Sequence, residues 1–457
     1  MSMYRYHLTA SFSKGLRRLT SEIVQENSTI NVQIPFLTSS GALRYGLQRT
    51  IEDLRKQSIY HSEVGFDVII IGVLVYIADM KISRRSQAQD SWSREIILTI
   101  PVFDERWSLY KPLFERMLKF LTGDLWSIEF TRRQEKLSQE EKFEKRTDKY
   151  KFASLFSGGM DSLIASINYM EQKQATLFVS HAGESRVRHW QTDLISVLDE
   201  KYGDIPHENA YYWTNLDGVD FPEAGTDQNQ RSRSFLFIFI AIAFFAMSGT
   251  KECTQLLMPE NGLIALNVPL EYLRIGSHST RTTHPFYLKL WNEVTSDLFG
   301  FSISNPYWNK TKGEMAAECL NKDILKVAIG QSYSCSSVNS VSIQSGQSNH
   351  CGHCLPCIIR RAAMHKAFGD YDPSVYMDSN VTELVRNREA KGEQIRSFQY
   401  AIERLKKNPE AKDALIHKPG PLEMDDSYLT ELADTYYRGL MEVDQWIQDS
   451  LEKENVN

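Results

Sequence analysis

The chain has 457 residues, of which 42% are hydrophobic and 24% charged, the composition of an ordinary globular protein with about two or three domains. Its formal net charge of −6 gives no support to a protein that coats nucleic acid. The most apolar run, Phe235–Met247, is too short to span a membrane, and the chain start lacks a secretory pattern, so a cytoplasmic protein is expected.

Residues 1–130 predict an N-terminal α+β extension. Ile30, Val32 and Ile34 alternate with polar residues, which is typical of a half-buried strand. Val68–Ala78 is a nearly continuous apolar run of mostly branched residues and predicts a central strand. Two more strands and one helix are predicted at Glu95–Val102, Trp126–Phe130 and Lys111–Leu121. Residues 131–151 are rich in Lys, Arg and Glu and predict a charged linker.

Residues 152–368 alternate between strand-like and helix-like segments, which predicts an α/β domain with a parallel sheet covered by helices on both faces. The predicted strands are Phe152–Phe156, Ala175–Ser180, Ala210–Thr214, Thr254–Pro259 and Lys326–Ile329. The predicted helices are Ser162–Glu171, Arg188–Leu198, Ser232–Met247, Phe286–Leu298 and Gly313–Leu320.

Residues 369–457 predict a helical C-terminal region. Between Leu429 and Leu451 the apolar residues recur at spacings of three and four, as they do on one face of a helix. Asp426 or Ser427 is expected to cap the start of this helix. A helix packed against its own protein is the expected structure, and a partner-binding helix is the alternative.

The segment Ser157–Ser162, with the sequence SGGMDS, lies between a predicted strand and a predicted helix. Its two glycines let backbone amides approach an anion, and the helix start adds free N–H groups and a positive dipole end. The serine hydroxyls can add donors, and Asp161 can hold Mg²⁺ or orient phosphates. The segment lacks the ending of a Walker loop, and the structural alternative is a plain Gly-Gly turn. The predicted phosphate-binding residues are Ser157, Gly158, Gly159, Met160, Asp161 and Ser162, together with Arg233 from a later segment.

Four cysteines are predicted to bind one structural zinc ion. They are Cys335, Cys351, Cys354 and Cys357. The last three stand at two successive C-x-x-C spacings, and four thiolates suit tetrahedral Zn²⁺. An iron–sulfur cluster is the alternative, and His350 and His353 are possible substitute ligands. Cys253 and Cys319 stand alone and are expected to be small buried hydrophobic residues.

The SGGMDS string resembles the signature of the PP-loop ATP pyrophosphatases, in which the loop binds the β- and γ-phosphates while a substrate oxygen attacks the α-phosphate. Together with the CGHCLPC run and the following Arg360 and Arg361, it resembles the QueC family of 7-cyano-7-deazaguanine synthases. This resemblance covers residues 152–368. It implies a PP-loop fold of the adenine nucleotide alpha hydrolase type, with ATP, Mg²⁺ and Zn²⁺ as cofactors and a 7-carboxy-7-deazaguanine-like acid as substrate.

The regions outside residues 152–368 are absent from housekeeping QueC. A QueC-like centre with such additions resembles the enlarged proteins of bacterial antiviral islands, particularly the QatC proteins of the Qat anti-phage system. That resemblance implies that the acid is joined to an amine of a partner protein from the same defence system. Neither a membrane nor nucleic acid is expected as a direct partner.

Four further polar segments are candidates for the site. Arg233 precedes the apolar helix and can neutralise a phosphate or carboxylate, and Lys312 opens a helix where QueC-like proteins have a phosphate-facing lysine. Arg281 can pair with a substrate carboxylate, and His284 can move a proton, although QueC has a different string there. Asn261 follows a strand and can contact a base or ribose, with a plain Asn-Gly turn as the alternative. The predicted catalytic residues are Asp161, Lys312 and Arg281.

Three other functions stay open at this point. An enzyme that makes a nitrile or amide from ammonia would need no partner protein. A tRNA or DNA modification enzyme is disfavoured by the acidic charge and by the lack of a spare cysteine pair. A non-catalytic scaffold is disfavoured by the intact loop.

Overall fold

The computed structural model describes most of the chain. The described residues are 4–13, 20–24, 28–56, 62–88, 92–137, 150–181, 185–221, 225–227, 231–248, 253–271, 281–336 and 349–456. Most of the predicted charged linker, residues 138–149, lies outside them. The described part contains two five-stranded sheets and many helices, so the chain has an α/β structure.

The N-terminal sheet has the strand order β2-β3-β1-β4-β5, in which β2 is antiparallel to β3 and the other pairs are parallel. Its strands are β1 (Arg5–Ser11), β2 (Thr20–Val24), β3 (Thr29–Pro35), β4 (Glu95–Val102) and β5 (Leu125–Arg132). The helices of this region are α1 (Leu47–Lys56), α2 (Glu63–Lys81), α3 (Arg84–Gln87) and α4 (Lys111–Thr122). The strand predicted at Glu95–Val102 and the helix predicted from Lys111 are confirmed.

The strand predicted at Val68–Ala78 is wrong, because this run lies inside α2. Ser62 caps the helix by accepting a hydrogen bond from the Gly65 N–H at 3.0 Å. Every residue from Gly65 to Asp79 is buried, so the helix has no polar face and its sequence carries no helical period. A fully buried helix and a central strand have the same apolar composition, which explains the error.

The central sheet is parallel throughout, with the strand order β10-β9-β6-β7-β8. Its strands are β6 (Phe152–Leu155), β7 (Thr176–His181), β8 (His207–Tyr212), β9 (Gln255–Leu257) and β10 (Ser302–Ser304). The strand order reverses direction between β6 and β9, and ligands of open parallel sheets gather at the carboxyl ends of strands beside such a point. The predicted parallel α/β arrangement of this region is confirmed.

Seven α-helices accompany the central sheet in the described residues: α5 (Met160–Glu171), α6 (Ser185–Tyr202), α7 (Arg233–Ser248), α8 (Gly262–Leu266), α9 (Pro285–Phe299), α10 (Lys312–Ala317) and α11 (Lys322–Ala328). The strand predicted at Lys326–Ile329 is wrong, because these residues end α11 and begin a short 3₁₀ turn. Asn321 caps α11 by accepting from the Ile324 N–H at 3.1 Å.

The C-terminal region is helical, as predicted. It contains α13 (Val381–Arg386), α14 (Ala390–Lys407), α15 (Ala411–Leu415) and α16 (Asp426–Val456). Helix α12 (Leu355–Phe368) precedes it, and β11 (Asn349–His350), before α12, forms a small parallel pair with β12 (Val375–Tyr376). Asp426 or Ser427 was predicted to cap α16. The cap is instead Asp425, whose carboxylate accepts from the Tyr428 N–H at 2.8 Å. The apolar face of α16 packs inside the protein, on α12, α14 and α8.

One hydrophobic core extends from the N-terminal sheet to the central sheet. Helices α2 and α7 pack closely, because a Cβ atom added to Gly72 would lie 2.9 Å from the Phe239 Cβ. The Phe239 ring in turn contacts Trp291 of α9, with ring centroids 4.9 Å apart. The two sheets therefore share apolar packing. None of the helices in the described ranges is long and apolar enough to cross a membrane.

Candidate functional site

The SGGMDS loop connects β6 to α5 at the carboxyl edge of the central sheet. Gly158 has φ +80°, a conformation that side chains rarely adopt, and an added Cβ would lie 3.1 Å from the Gln191 Cγ. Gly159 is the N-cap of α5 and has no side chain to occupy the helix start. The glycines thus permit a tight turn directly before the first turn of α5.

The two serines of the loop face each other across it. The Ser157 Oγ lies 3.3 Å from the Ser162 Oγ and accepts from the Gly159 N–H at 3.3 Å. The Met160 N–H donates to the Ser334 Oγ at 3.3 Å, while the Met160 side chain is fully buried in the core. Met160 therefore takes part in the site through its backbone alone.

Asp161 and Lys312 form a buried ion pair beside the loop. The Lys312 Nζ lies 3.1 Å from the Asp161 Oδ1, and the two side chains are 4% and 11% exposed. The other carboxylate oxygen accepts from Asn261, from its Nδ2 at 2.8 Å and its backbone N–H at 3.2 Å. The structure thus brings together a predicted loop residue and a predicted lysine that are far apart in the sequence.

Asn261 does not line the cavity described below, where a base or ribose contact would be expected. Its side chain is fully buried, its Oδ1 caps α8 by accepting from the Ile264 N–H, and its Nδ2 holds Asp161. It therefore orients the carboxylate of Asp161. The alternative of a plain Asn-Gly turn is also not observed, because Gly262 begins α8.

A cavity of about 190 Å³ adjoins the loop at the carboxyl ends of β6, β7 and β9. Its polar lining residues include Ser157, Ser162, His181, Arg233 and Glu260. The apolar part of its wall comes mainly from the ends of β6 and β7 and from α7. A cavity that joins hydroxyl and charged groups to an apolar wall is typical of a site for a small molecule with one charged end.

Glu260 carries the second carboxylate of the site, and it accepts a hydrogen bond from the Thr283 hydroxyl. Part of its side chain still faces the cavity, but the surrounding protein removes most of its hydration. This desolvation, with the nearby negative charge of Asp161, raises the pKa of Glu260 from 4.5 to about 7. Such a carboxyl group can exchange a proton near neutral pH.

The raised pKa of Glu260 predicts a stability change with pH. The folded protein keeps this proton up to about pH 7, whereas the unfolded chain loses it above about pH 4.5, so the free energy of unfolding should fall as the pH rises between these values. The expected fall is on the order of 3 kcal/mol at most. Chemical denaturation from pH 4.5 to 8 measures it. Glu260→Gln should remove this component, and an unchanged slope in that variant would contradict the shift.

Arg233 begins α7 and faces the cavity, with its guanidinium carbon 5.1 Å from the centre of the Phe237 ring. His181, at the end of β7, lines the same cavity and lies 2.6 Å from the Thr214 hydroxyl through its Nε2. Burial, with the nearby charge of Arg233, lowers the pKa of His181 to about 3, so its ring is neutral at pH 7. Sequence reasoning missed His181, although it directly follows a predicted parallel strand.

Arg281 and His284 lie elsewhere. The Arg281 guanidinium donates to the Phe120 carbonyl at 2.7 Å and lies over the Phe120 ring, and it does not line the described cavity. His284 is fully buried, caps α9 through its Nδ1, and has its pKa lowered to about 3 by burial. Its geometry does not favour the predicted proton transfer. The neighbouring Ser279 and Thr280 lie outside the described residues.

The four predicted cysteines form one buried cluster whose Sγ atoms all lie within 4.8 Å of one another. The Cys335–Cys354 and Cys351–Cys357 sulfur distances are 3.8 Å and 3.9 Å. Tetrahedral zinc with Zn–S bonds of about 2.3 Å requires sulfur separations of about 3.8 Å, so the cluster fits this ion. The four cysteines can therefore hold a metal such as zinc.

Backbone amides support the cluster, since the N–H groups of Cys351 and Cys354 donate to the sulfurs of Cys335 and Cys351. Such bonds stabilise thiolate ligands of a metal. His353 is not part of the cluster, because its Nδ1 pairs with the Asp378 carboxylate at 2.6 Å. His350 stacks on Tyr333, with ring centroids 5.2 Å apart.

The segment that precedes Cys335 contacts the loop directly. The Tyr333 N–H donates to the Gly158 carbonyl at 2.9 Å, and Ser334 accepts from the loop as described above. Arg360, fully buried in α12, donates to the Ser332 hydroxyl at 2.8 Å and to the Ile329 carbonyl at 2.6 Å. It therefore fixes the segment that joins Cys335 to the loop.

No protein-family model matches the chain, and the curated proteins include no match to it.

Proposed function

We propose that this chain is a QueC-like PP-loop ATP pyrophosphatase that adenylates a 7-carboxy-7-deazaguanine-like acid and then forms an amide. The observation that carries the proposal is the buried Asp161–Lys312 pair beside a two-glycine loop at the carboxyl edge of a parallel sheet. An anion-binding loop, a cation and a carboxylate are the groups needed to bind ATP with Mg²⁺. The adjoining cavity supports a small acid as the second substrate.

The proposed reaction has two steps. A carboxylate oxygen of the acid bonds to the α-phosphorus of ATP, and the bond from that phosphorus to pyrophosphate breaks. An amine nitrogen then bonds to the acyl carbon and loses a proton, and AMP leaves with the oxygen that came from the acid. The acid is activated because AMP is a far better leaving group than an oxide ion.

The loop and four charged residues beside it and the cavity have roles in this proposed reaction. The loop amides and Lys312 bind the β- and γ-phosphates, and Asp161 holds Lys312 and offers its carboxylate to Mg²⁺. Arg233 neutralises the carboxylate of the acid. Glu260 accepts the proton from the amine, which its raised pKa permits. The zinc ion is structural.

The amine acceptor in this proposal is a partner protein of a bacterial defence system. This part follows from the resemblance to the enlarged QueC-like proteins. A mass increase on the partner, found after incubation with ATP and the acid, is its test. Formation of 7-cyano-7-deazaguanine from ammonium ions without any partner would instead identify an enzyme of free metabolites.

The adenylation step can be tested without knowing the acceptor. We expect the protein to exchange labelled pyrophosphate into ATP only when 7-carboxy-7-deazaguanine and Mg²⁺ are present, because this exchange requires reversible attack on the α-phosphate. With ¹⁸O in the carboxylate and hydroxylamine added to trap the acyl adenylate, the label should appear in AMP. Both readouts follow bond formation between the acid and the α-phosphorus.

Two results would contradict the proposal. Release of ADP and phosphate would mean that the γ-phosphate is attacked and that the loop is not of the PP-loop type. Binding of ATP without exchange, for this acid and a panel of other planar carboxylic acids, would favour the scaffold alternative.

A further inference from the structure

The C-terminal helix α16 contacts the elements that carry both partners of Asp161. Arg438 and Glu442, one turn apart on α16, both contact the first turn of α10. Lys312 is the first residue of α10, and Asn261 is the N-cap of α8. Both of these residues hold the Asp161 carboxylate.

The Glu442 carboxylate binds the two residues that flank Lys312 in the sequence. The Thr311 hydroxyl donates to the Glu442 Oε1, and the Gly313 N–H donates to its Oε2 at 3.2 Å. Thr311 is also the N-cap of α10, within a reciprocal capping box with Glu314. The backbone of Lys312 is thus fixed between two residues that bind one buried carboxylate.

Gly313 makes this contact possible. A Cβ atom at this position would lie 2.8 Å from the Glu442 Oε2 and 2.8 Å from the Lys366 Cδ, so any larger residue would displace the ends of these two side chains. Lys366 of α12 balances the buried charge, with its Nζ 2.6 Å from the Glu442 Oε1. The carboxylate therefore has a complete set of partners.

The second contact concerns Asn261. Gly262, the first residue of α8, lies close to α16, since an added Cβ would be 2.7 Å from the Thr435 Cγ2. Gly439 packs on Leu263 of α8 in the same way, with an added Cβ 2.9 Å from the Leu263 Cδ2. Helix α16 consequently supports the helix that Asn261 caps.

We infer that Glu442 is a positioning residue of the nucleotide site, through which the C-terminal helix holds Lys312 against Asp161 and the phosphate loop. The C-terminal region is then part of the ATP site and not an independent appendage. The inference rests on the proposed function only in that Lys312 binds the phosphates of ATP. It does not depend on the acid, the acceptor or the chemical step.

The test is the equilibrium binding of ATP with Mg²⁺ to variants of the full chain, measured well below their melting temperatures. Glu442→Ala should weaken binding about five- to tenfold, because it removes the contacts on both sides of Lys312. Glu442→Gln should weaken binding less than Glu442→Ala, because an amide still accepts from the Gly313 N–H and can donate to the Thr311 hydroxyl, although it loses the ion pair with Lys366. Asp449→Ala is the matched control, since Asp449 joins α16 to His365 of α12 at 2.7 Å without contacting α10.

A double-mutant cycle separates positioning from a general loss of stability. In a Lys312→Met background, Glu442→Ala should have no further effect on ATP binding if Glu442 acts through Lys312. Equal effects with and without Lys312, or equal weakening by Glu442→Ala and Asp449→Ala, would overturn the inference. If ATP binds as expected but no pyrophosphate exchange occurs with any acid, the proposed function fails while this inference stands.

Discussion

Asp161→Asn is expected to lower acid-dependent pyrophosphate exchange by at least about 100-fold. The substitution removes the negative charge that holds Lys312 and that is available to Mg²⁺, yet it keeps the size of the side chain. It also leaves the Lys312 ammonium buried without its counter-charge, which should destabilise the protein by a few kcal/mol, on the order of 3. The measurements are exchange rates at saturating ATP and unfolding by denaturant.

A second variant separates the two effects. Asp161→Asn combined with Lys312→Met removes both charges, so most of the lost stability should return while exchange stays low. Asp193→Asn, on the solvent-exposed side of α6, is a control for the substitution itself and should change neither property. Exchange that recovers together with stability in the double variant would mean that the pair serves folding and not phosphate binding.

The parts of this fold that the sequence could predict are those with a visible period or a local signal. Strand β4 has alternating buried and half-buried residues, and its predicted limits, Glu95–Val102, match the structure. The same reasoning failed for α2, since a helix buried on every side has no alternation of polar and apolar faces to recognise. Burial by other elements is a tertiary property, and no local pattern records it.

A similar limit applies to the candidate site. Asp161 could be chosen from its place in the loop and Lys312 from the family resemblance, but their ion pair depends on the path of the chain between them. The fully buried Arg360 was noted only as part of a family pattern, whereas its bonds to Ser332 and Ile329 appear once α12 is placed beside the loop. The role of α16 could not be predicted at all, because its apolar face is that of any packed helix.

If the four cysteines hold zinc, its removal is expected to affect the SGGMDS loop as well as the cysteine cluster. Tyr333 and Ser334, which bond to the loop, directly precede Cys335, so the loss of zinc releases the segment that contacts Gly158. Cys357→Ser, or treatment with a strong chelator, should lower the melting temperature by about 10 °C or more and should abolish pyrophosphate exchange. Metal analysis of the wild-type protein should find about one zinc ion per chain, since four thiolates complete its coordination.

The lone cysteines supply the control for this experiment. Cys319→Ser also changes a buried thiol, but Cys319 lies outside the cluster, so this variant should keep its zinc and its exchange activity. Iron and inorganic sulfide in protein purified without air would identify an iron–sulfur cluster in place of zinc. Undiminished pyrophosphate exchange by metal-free protein would contradict this link between the metal and the loop. It would mean that the Tyr333–Ser334 segment holds the loop without the ion. The contact between this segment and Gly158 is the physical reason to expect that metal binding and ATP binding strengthen each other.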